Sequence, residues 1–161
     1  MTLPTFRYHP DPVRSGSIKS STATCRCCNQ ARGYIYEGPA YAEAEFNGAL
    51  CPWCIADGSA HANFDITFVD SEALTQDVPQ EVQSDIVERT PGFNAWQGER
   101  WPTCCSDATA FIQPLGSKEL RAECREYESV VLSHIIYEMK ISGGAATRLL
   151  ASLDRDTGPT A

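Results

Sequence analysis

Apolar residues fall in short alternating runs through the first seventy positions and at helical spacing through the second half of the chain. Gly33-Tyr34-Ile35-Tyr36 predicts a short aromatic strand. Glu37-Gly38-Pro39 turns the chain, and Tyr41 to Phe46 predicts the returning strand. Asn47-Gly48 is a strong turn signal directly before Cys51. In Phe64-Asp65-Ile66-Thr67-Phe68 every second residue is apolar, so a further strand is expected with Phe64, Ile66 and Phe68 facing inward.

The period then changes. Pro79 is expected to open a helix running to Arg89, with Val82, Ile86 and Val87 on its apolar face and Thr90-Pro91-Gly92 ending it. From Ser117, read as an N-cap, Leu120, Cys124, Tyr127, Val131 and His134/Ile135 mark one face of a long helix that stops before Gly143-Gly144. A last helix is expected over about residues 145–153, followed by turn-like residues to Ala161. Between the helices, residues 93–101 hold Phe93, Trp96 and Trp101 with little periodicity. That load of aromatics predicts a loop that packs onto the body or forms a binding surface.

These elements predict an α+β fold, with an N-terminal zinc-ribbon-like hairpin module packed against a mixed region of two or three helices. Residues 1–23, with Pro4, Pro10, Pro12, Gly16 and several serines, are expected as an extended arm. Phe6 and Tyr8 could pin that arm to the body, and His9 is expected at the surface or in a cap. The module is expected over 24–70 and a mainly helical part, including the 93–101 loop, over 71–161.

Charge and cysteine content sharpen this picture. The net charge of -8 opposes a role built on holding phosphate backbones, despite local basic residues at Arg7, Arg14, Lys19, Arg26 and Arg32. Eight cysteines in 161 residues is a high count. Met1 to Tyr8 is too short and too interrupted by His9-Pro10-Asp11-Pro12 for a signal peptide, so reduced thiols in a cytoplasmic protein are expected. No apolar run is long enough to insert in a membrane.

The chemistry centres on Cys25-Arg26-Cys27-Cys28 and Cys51-Pro52-Trp53-Cys54. Two Cys-x-x-Cys pairs with 22 residues between them match a tetrahedral thiolate zinc site, because each pair can turn both sulfurs onto one ion. Cys25, Cys28, Cys51 and Cys54 are therefore the expected ligands of one structural zinc. Cys27 competes with Cys25 for the first pair. A redox role for Cys51 and Cys54 would require the pair at a helix start beside a parallel sheet. Cys104 and Cys105, with Asp107 nearby, form a weaker metal candidate. Cys124 reads as a small buried apolar residue, His134 as a core or boundary histidine, and His61 as a remote alternative ligand. There is no phosphate-cradling glycine loop, nucleophile elbow or His-Glu-x-x-His. Glu119, Glu123 and Glu126 read as a solvated helix face.

Several of these stretches together resemble the CbrC family of small bacterial proteins. The likeness runs through Phe6-Arg7-Tyr8-His9-Pro10-Asp11-Pro12, Cys27-Cys28 to Tyr36, Cys51 to Ala60, Glu88 to Phe93, and Trp96-Gln97 through Trp101. The resemblance implies a fold more than a reaction; one member is associated with tolerance to a DNA-degrading colicin. In the family pattern the segment matching Cys104 to Phe111 has His before Cys and a second Cys where this chain has Thr109. Many members also continue into a strand bearing another Cys-x-x-Cys. The expectation is that a second site has been lost here, or that the chain is truncated after Ala161. The leading functional expectation is a zinc-stabilised binding or regulatory protein with a protein partner. A metal- or thiol-dependent hydrolase or transferase using Cys104/Cys105 is second, and nucleic-acid binding third.

Overall fold

A computed structural model of the chain describes residues 2–74, 78–95 and 98–152. It divides into two compact units, Met1–Gln113 and Pro114–Ala161.

The first unit is a mixture of short helices and two small antiparallel hairpins, which makes the fold α+β as expected. Strand β1 (Ile18–Ser20) pairs with β2 (Tyr34–Tyr36), with Ile18 opposite Tyr36 and Ser20 opposite Tyr34. The partner of β2 thus comes from the residues expected as an extended arm. The return strand expected over Tyr41 to Phe46 does not form; Tyr41 makes one isolated bridge to Thr67. Tyr36 N–H is already committed to the Leu50 carbonyl at 2.9 Å, so the chain beside β2 is the segment entering Cys51.

Two short helices follow, α1 (Pro52–Ala56) and α2 (Ser59–Phe64). The strand expected over Phe64 to Phe68 is displaced, since Phe64 ends α2 and Asp65 adopts a left-handed conformation with φ 51. The expected alternation survives in burial: Ile66 and Phe68 are buried. A 3-10 turn at Ser71–Ala73 leads towards α3 (Gln80–Arg89), which Pro79 opens as predicted. Arg89, in the last turn of α3, donates two hydrogen bonds to the Ala56 carbonyl at 3.2 and 3.0 Å. The cation thereby satisfies a carbonyl left without an intrahelical partner at the end of α1. Strands β3 (Thr103–Cys104) and β4 (Asp107–Ala108) close the unit.

Two apolar clusters hold these elements. One gathers Phe6, Ile18, Tyr36, Phe46, Leu50 and Phe68 around the buried cysteines. The other contains Tyr8, Val69, Ile86, Phe93 and Trp101. Tyr36 links them. Its ring meets Phe68 edge-on at 5.3 Å, while its hydroxyl donates to the Pro39 carbonyl and accepts the Gly92 N–H. Gly92 is required there: a Cβ would lie 2.1 Å from the Phe68 carbonyl oxygen.

The second unit contains α4 (Ser117–Glu123), a 3-10 turn at Arg125–Tyr127, α5 (Glu128–Met139) and α6 (Gly143–Ser152). The single helix expected from Ser117 is therefore broken at Cys124, whose backbone (φ -137, ψ 36) leaves the helical region. The cap is Gly116 rather than Ser117; its N–H donates to the Glu119 carboxylate at 3.1 Å. With the helix broken, the expected apolar face is not continuous: Leu120 is buried, Cys124 half-buried and Tyr127 exposed. The last helix starts two residues earlier than expected, and its expected end at Leu153 lies outside the described residues.

Candidate metal centre

The first cysteine pair is shaped by a tight loop. Cys25 N–H bonds to the Gln30 carbonyl, and Asn29 N–H returns to the Cys25 carbonyl with Asn29 at φ 54. Asparagine tolerates that left-handed conformation better than most residues. Arg26 N–H reaches the Ala49 carbonyl at 2.8 Å, and its guanidinium lies over the Phe46 ring at 4.6 Å. These contacts join the first loop to the segment that carries the second pair.

Cys51 is the N-cap of α1, and Pro52 occupies the first helical position, where its missing N–H costs nothing. One turn of helix then places Cys54 beside Cys51, with Sγ–Sγ 3.6 Å. Across the two pairs, Cys25 and Cys54 are 3.9 Å apart and Cys28 and Cys51 3.8 Å. All four sulfurs lie within 4.8 Å of one another, close enough to hold a metal ion. A tetrahedral ion about 2.3 Å from each sulfur requires separations of about 3.8 Å. A disulfide needs about 2.05 Å, well short of what is seen.

Electrostatics point the same way. Burial works against ionisation of Cys25, yet backbone N–H groups of Cys28, Cys51 and Cys27 aimed at its sulfur bring it down to about 7. The Cys51 N–H sits 3.2 Å from that sulfur. Burial drives Cys51 up to about 11, and Cys54 upward as well, with neighbouring thiols adding to the rise. The Cys25 thiolate is favoured while Cys51 and Cys54 resist ionisation, as like charges must in a buried cluster. A divalent cation relieves that conflict, and the donor set of four sulfurs suits a soft or borderline ion.

Cys27, the competitor for the first pair, lies outside this set. Its sulfur accepts the Asn63 side-chain amide at 3.4 Å and bonds to the Ser59 hydroxyl at 3.5 Å. The condition set for a redox pair is half met: Cys51 does start a helix, but the strands of the unit pair antiparallel. His61 is engaged elsewhere, with Nδ1 on the Ile66 carbonyl and Nε2 3.8 Å from Glu88.

The remaining candidates scatter. Cys104 and Cys105 are both exposed on the β3–β4 hairpin. Asp107 beside them is taken by the Tyr8 hydroxyl at 2.7 Å, its own neighbour's N–H at 2.9 Å and the Arg7 guanidinium. Those hydrogen bonds, that of Tyr8 first, hold its carboxyl below the ordinary carboxylate range. Of the aromatic loop, Phe93 and Trp101 are 9% and 1% exposed and so pack onto the body instead of forming a surface. Trp96 lies outside the described residues. His134 is exposed rather than at the core or boundary.

One residue was underrated by the sequence. His9 is fully buried, with Nδ1 on the Pro91 carbonyl at 2.7 Å and Nε2 on the Ser15 hydroxyl at 2.8 Å. The rings of Phe93 and Phe111 meet it edge-on. The signal for this in the sequence is its place between Tyr8, which could pin the arm to the body, and Pro10.

Comparison with known proteins places the chain. It is 53% identical over 119 residues to UPF0167 protein Mb2317 of Mycobacterium bovis, covering 73% of this chain and 64% of that relative. UPF0167 protein PA1536 of Pseudomonas aeruginosa is 50% identical over 120 residues, covering 73% of this chain and 67% of the relative. The chain thus spans about two thirds of the length of these curated relatives. No solved structure matches. The sequence model of the uncharacterised protein family UPF0167 matches residues 3–161, and the chain belongs to that family.

Proposed function

We propose that Cys25, Cys28, Cys51 and Cys54 hold one zinc ion as a closed structural centre in a binding or regulatory protein. The observation behind this is the set of four sulfurs within 4.8 Å, three of them buried. Four protein ligands leave no position for water or substrate, which separates a structural ion from a catalytic one. The reading as a zinc-ribbon-like centre rests on ligand spacing and the first loop, with a helix start supplying the second pair. The ion would neutralise the thiolates and tie the β1–β2 hairpin to α1.

Net charge of -8 favours a protein partner with a basic surface over nucleic acid. Eight free thiols support a reducing, cytoplasmic setting. Among the described residues no helix is long and apolar enough to cross a membrane. The resemblance to CbrC proteins supports a physiological link to bacteriocin tolerance. An enzymatic role for Cys104 and Cys105 is the weaker reading, since the adjacent Asp107 is already engaged by Arg7 and Tyr8.

Cobalt substitution tests the centre. Cobalt in a four-thiolate site gives strong sulfur-to-metal charge-transfer bands and tetrahedral d–d bands. Both should vanish in Cys51→Ser and persist in Cys27→Ser. Equal spectra in the two variants would show that the ligand set is wrong. For the partner class, a basic peptide should bind and release with rising salt. Tighter binding of single-stranded DNA than of that peptide at low salt would reverse the assignment.

A further inference from the structure

Outside the four-sulfur centre, the β3–β4 hairpin presents two thiols at its tip. Cys104 pairs with Asp107, so the loop is only Cys105 and Ser106. Both loop residues have positive φ, 59 and 62, as a type I′ turn requires. In a regular strand, successive side chains point to opposite faces. Cys104 ends the strand and Cys105 opens the left-handed turn, so strand alternation does not hold the two neighbouring thiols to opposite faces. Both are exposed.

The tip is firmly held. Trp101, just before β3, is buried; Thr109 N–H bonds to the Pro102 carbonyl, and Phe111 N–H to the Tyr8 carbonyl. Asp107 fixes the other strand through Tyr8 and Arg7. A left-handed backbone is unfavourable for non-glycine residues, so the surrounding contacts maintain at Cys105 and Ser106 a conformation that a free loop would relax.

This arrangement discriminates among ligands. An internal disulfide is disfavoured, because adjacent Cα atoms are about 3.8 Å apart and a disulfide prefers about 4.4–6.8 Å. Zinc prefers four protein ligands in a stable site, and among the described residues no further free metal-binding group joins the pair. An ion satisfied by two sulfurs and one hydroxide fits better. We propose that Cys104 and Cys105 form a bidentate site for trivalent arsenic, separate from the metal centre.

Binding needs no oxidant. Arsenous acid loses two hydroxides and each thiol loses one proton, giving two As–S bonds, one retained As–OH and two molecules of water. The arsenic and the sulfurs keep their oxidation states. Two sulfurs on one rigid turn make the second bond intramolecular, so the pair should exceed a single thiol by on the order of 100-fold or more.

The test uses the full zinc-treated chain, reduced with a phosphine and titrated with arsenite, with arsenic and zinc counted per chain. Uptake of one arsenic, unchanged zinc content and at least a hundredfold weaker uptake in Cys104→Ser and in Cys105→Ser would support the site. Cys124→Ser should bind as the parent does. Arsenic bound equally by the two hairpin variants, arsenic displacing zinc, or no uptake by the parent would overturn it. Should the chain hold no zinc, the metal-centre reading fails on its own, and the comparison of the hairpin variants still decides this one.

Discussion

His9 shows how one side chain can join distant parts of a fold. Its ring nitrogens bridge Ser15 and Pro91, while two phenylalanine rings exclude water. Burial holds its pKa below the ordinary 6.5, against opposing pulls from the Pro91 carbonyl and Asp11. The folded state thus keeps a neutral imidazole, while the unfolded chain takes up a proton once pH falls below 6.5. Stability from this residue is present above that pH and is lost as pH falls towards the lowered folded value. Urea midpoints measured between about pH 8 and pH 5 should fall for the parent. In His9→Gln the starting midpoint should be lower and the fall smaller. Parallel curves for the two proteins would show that His9 does not carry this dependence.

Among the elements, those set by local chemistry were legible and those set by pairing were not. Pro79 marked the start of α3, and the cysteine spacing marked both halves of the centre, because each signal acts within a few residues. Strand β1 has only three residues, one of them apolar, too short for any period to register. It exists because β2 needs a neighbour. Conversely, helical spacing continued through Cys124 while the backbone turned there, so periodicity described a face that the chain does not build. Trp101 belongs to the same lesson. Its loop lacked a period, yet it fills the second apolar cluster beside Phe93, at 5.4 Å between rings. Trp101→Ala should cost about 3–5 kcal/mol in chemical denaturation. A change below about 0.5 kcal/mol is what a surface position gives, and would restore the loop as a contact face.

At the scale of the molecule, metal and fold are expected to act as one system within the first unit. A four-cysteine zinc site contributes about 10–16 kcal/mol of apparent binding energy, as much as the net stability of a typical domain, about 5–15 kcal/mol. Removing the ion with a strong chelator should therefore open residues 25–54 wholesale instead of softening them. Hydrogen exchange read by mass spectrometry should show β2, α1 and the intervening segment losing protection, with much smaller changes in α5 and α6, which pack together in the second unit. Uniform loss across both units would mean that they unfold together.

The central claim is that four cysteines form one metal centre, and counting the ion tests it most directly. Native mass spectrometry of the purified full chain, with zinc quantified separately by elemental analysis, should give one zinc per chain in the parent and none in Cys51→Ser. A parent chain that binds no zinc under reducing conditions, with all eight thiols free to titrate, would contradict the account.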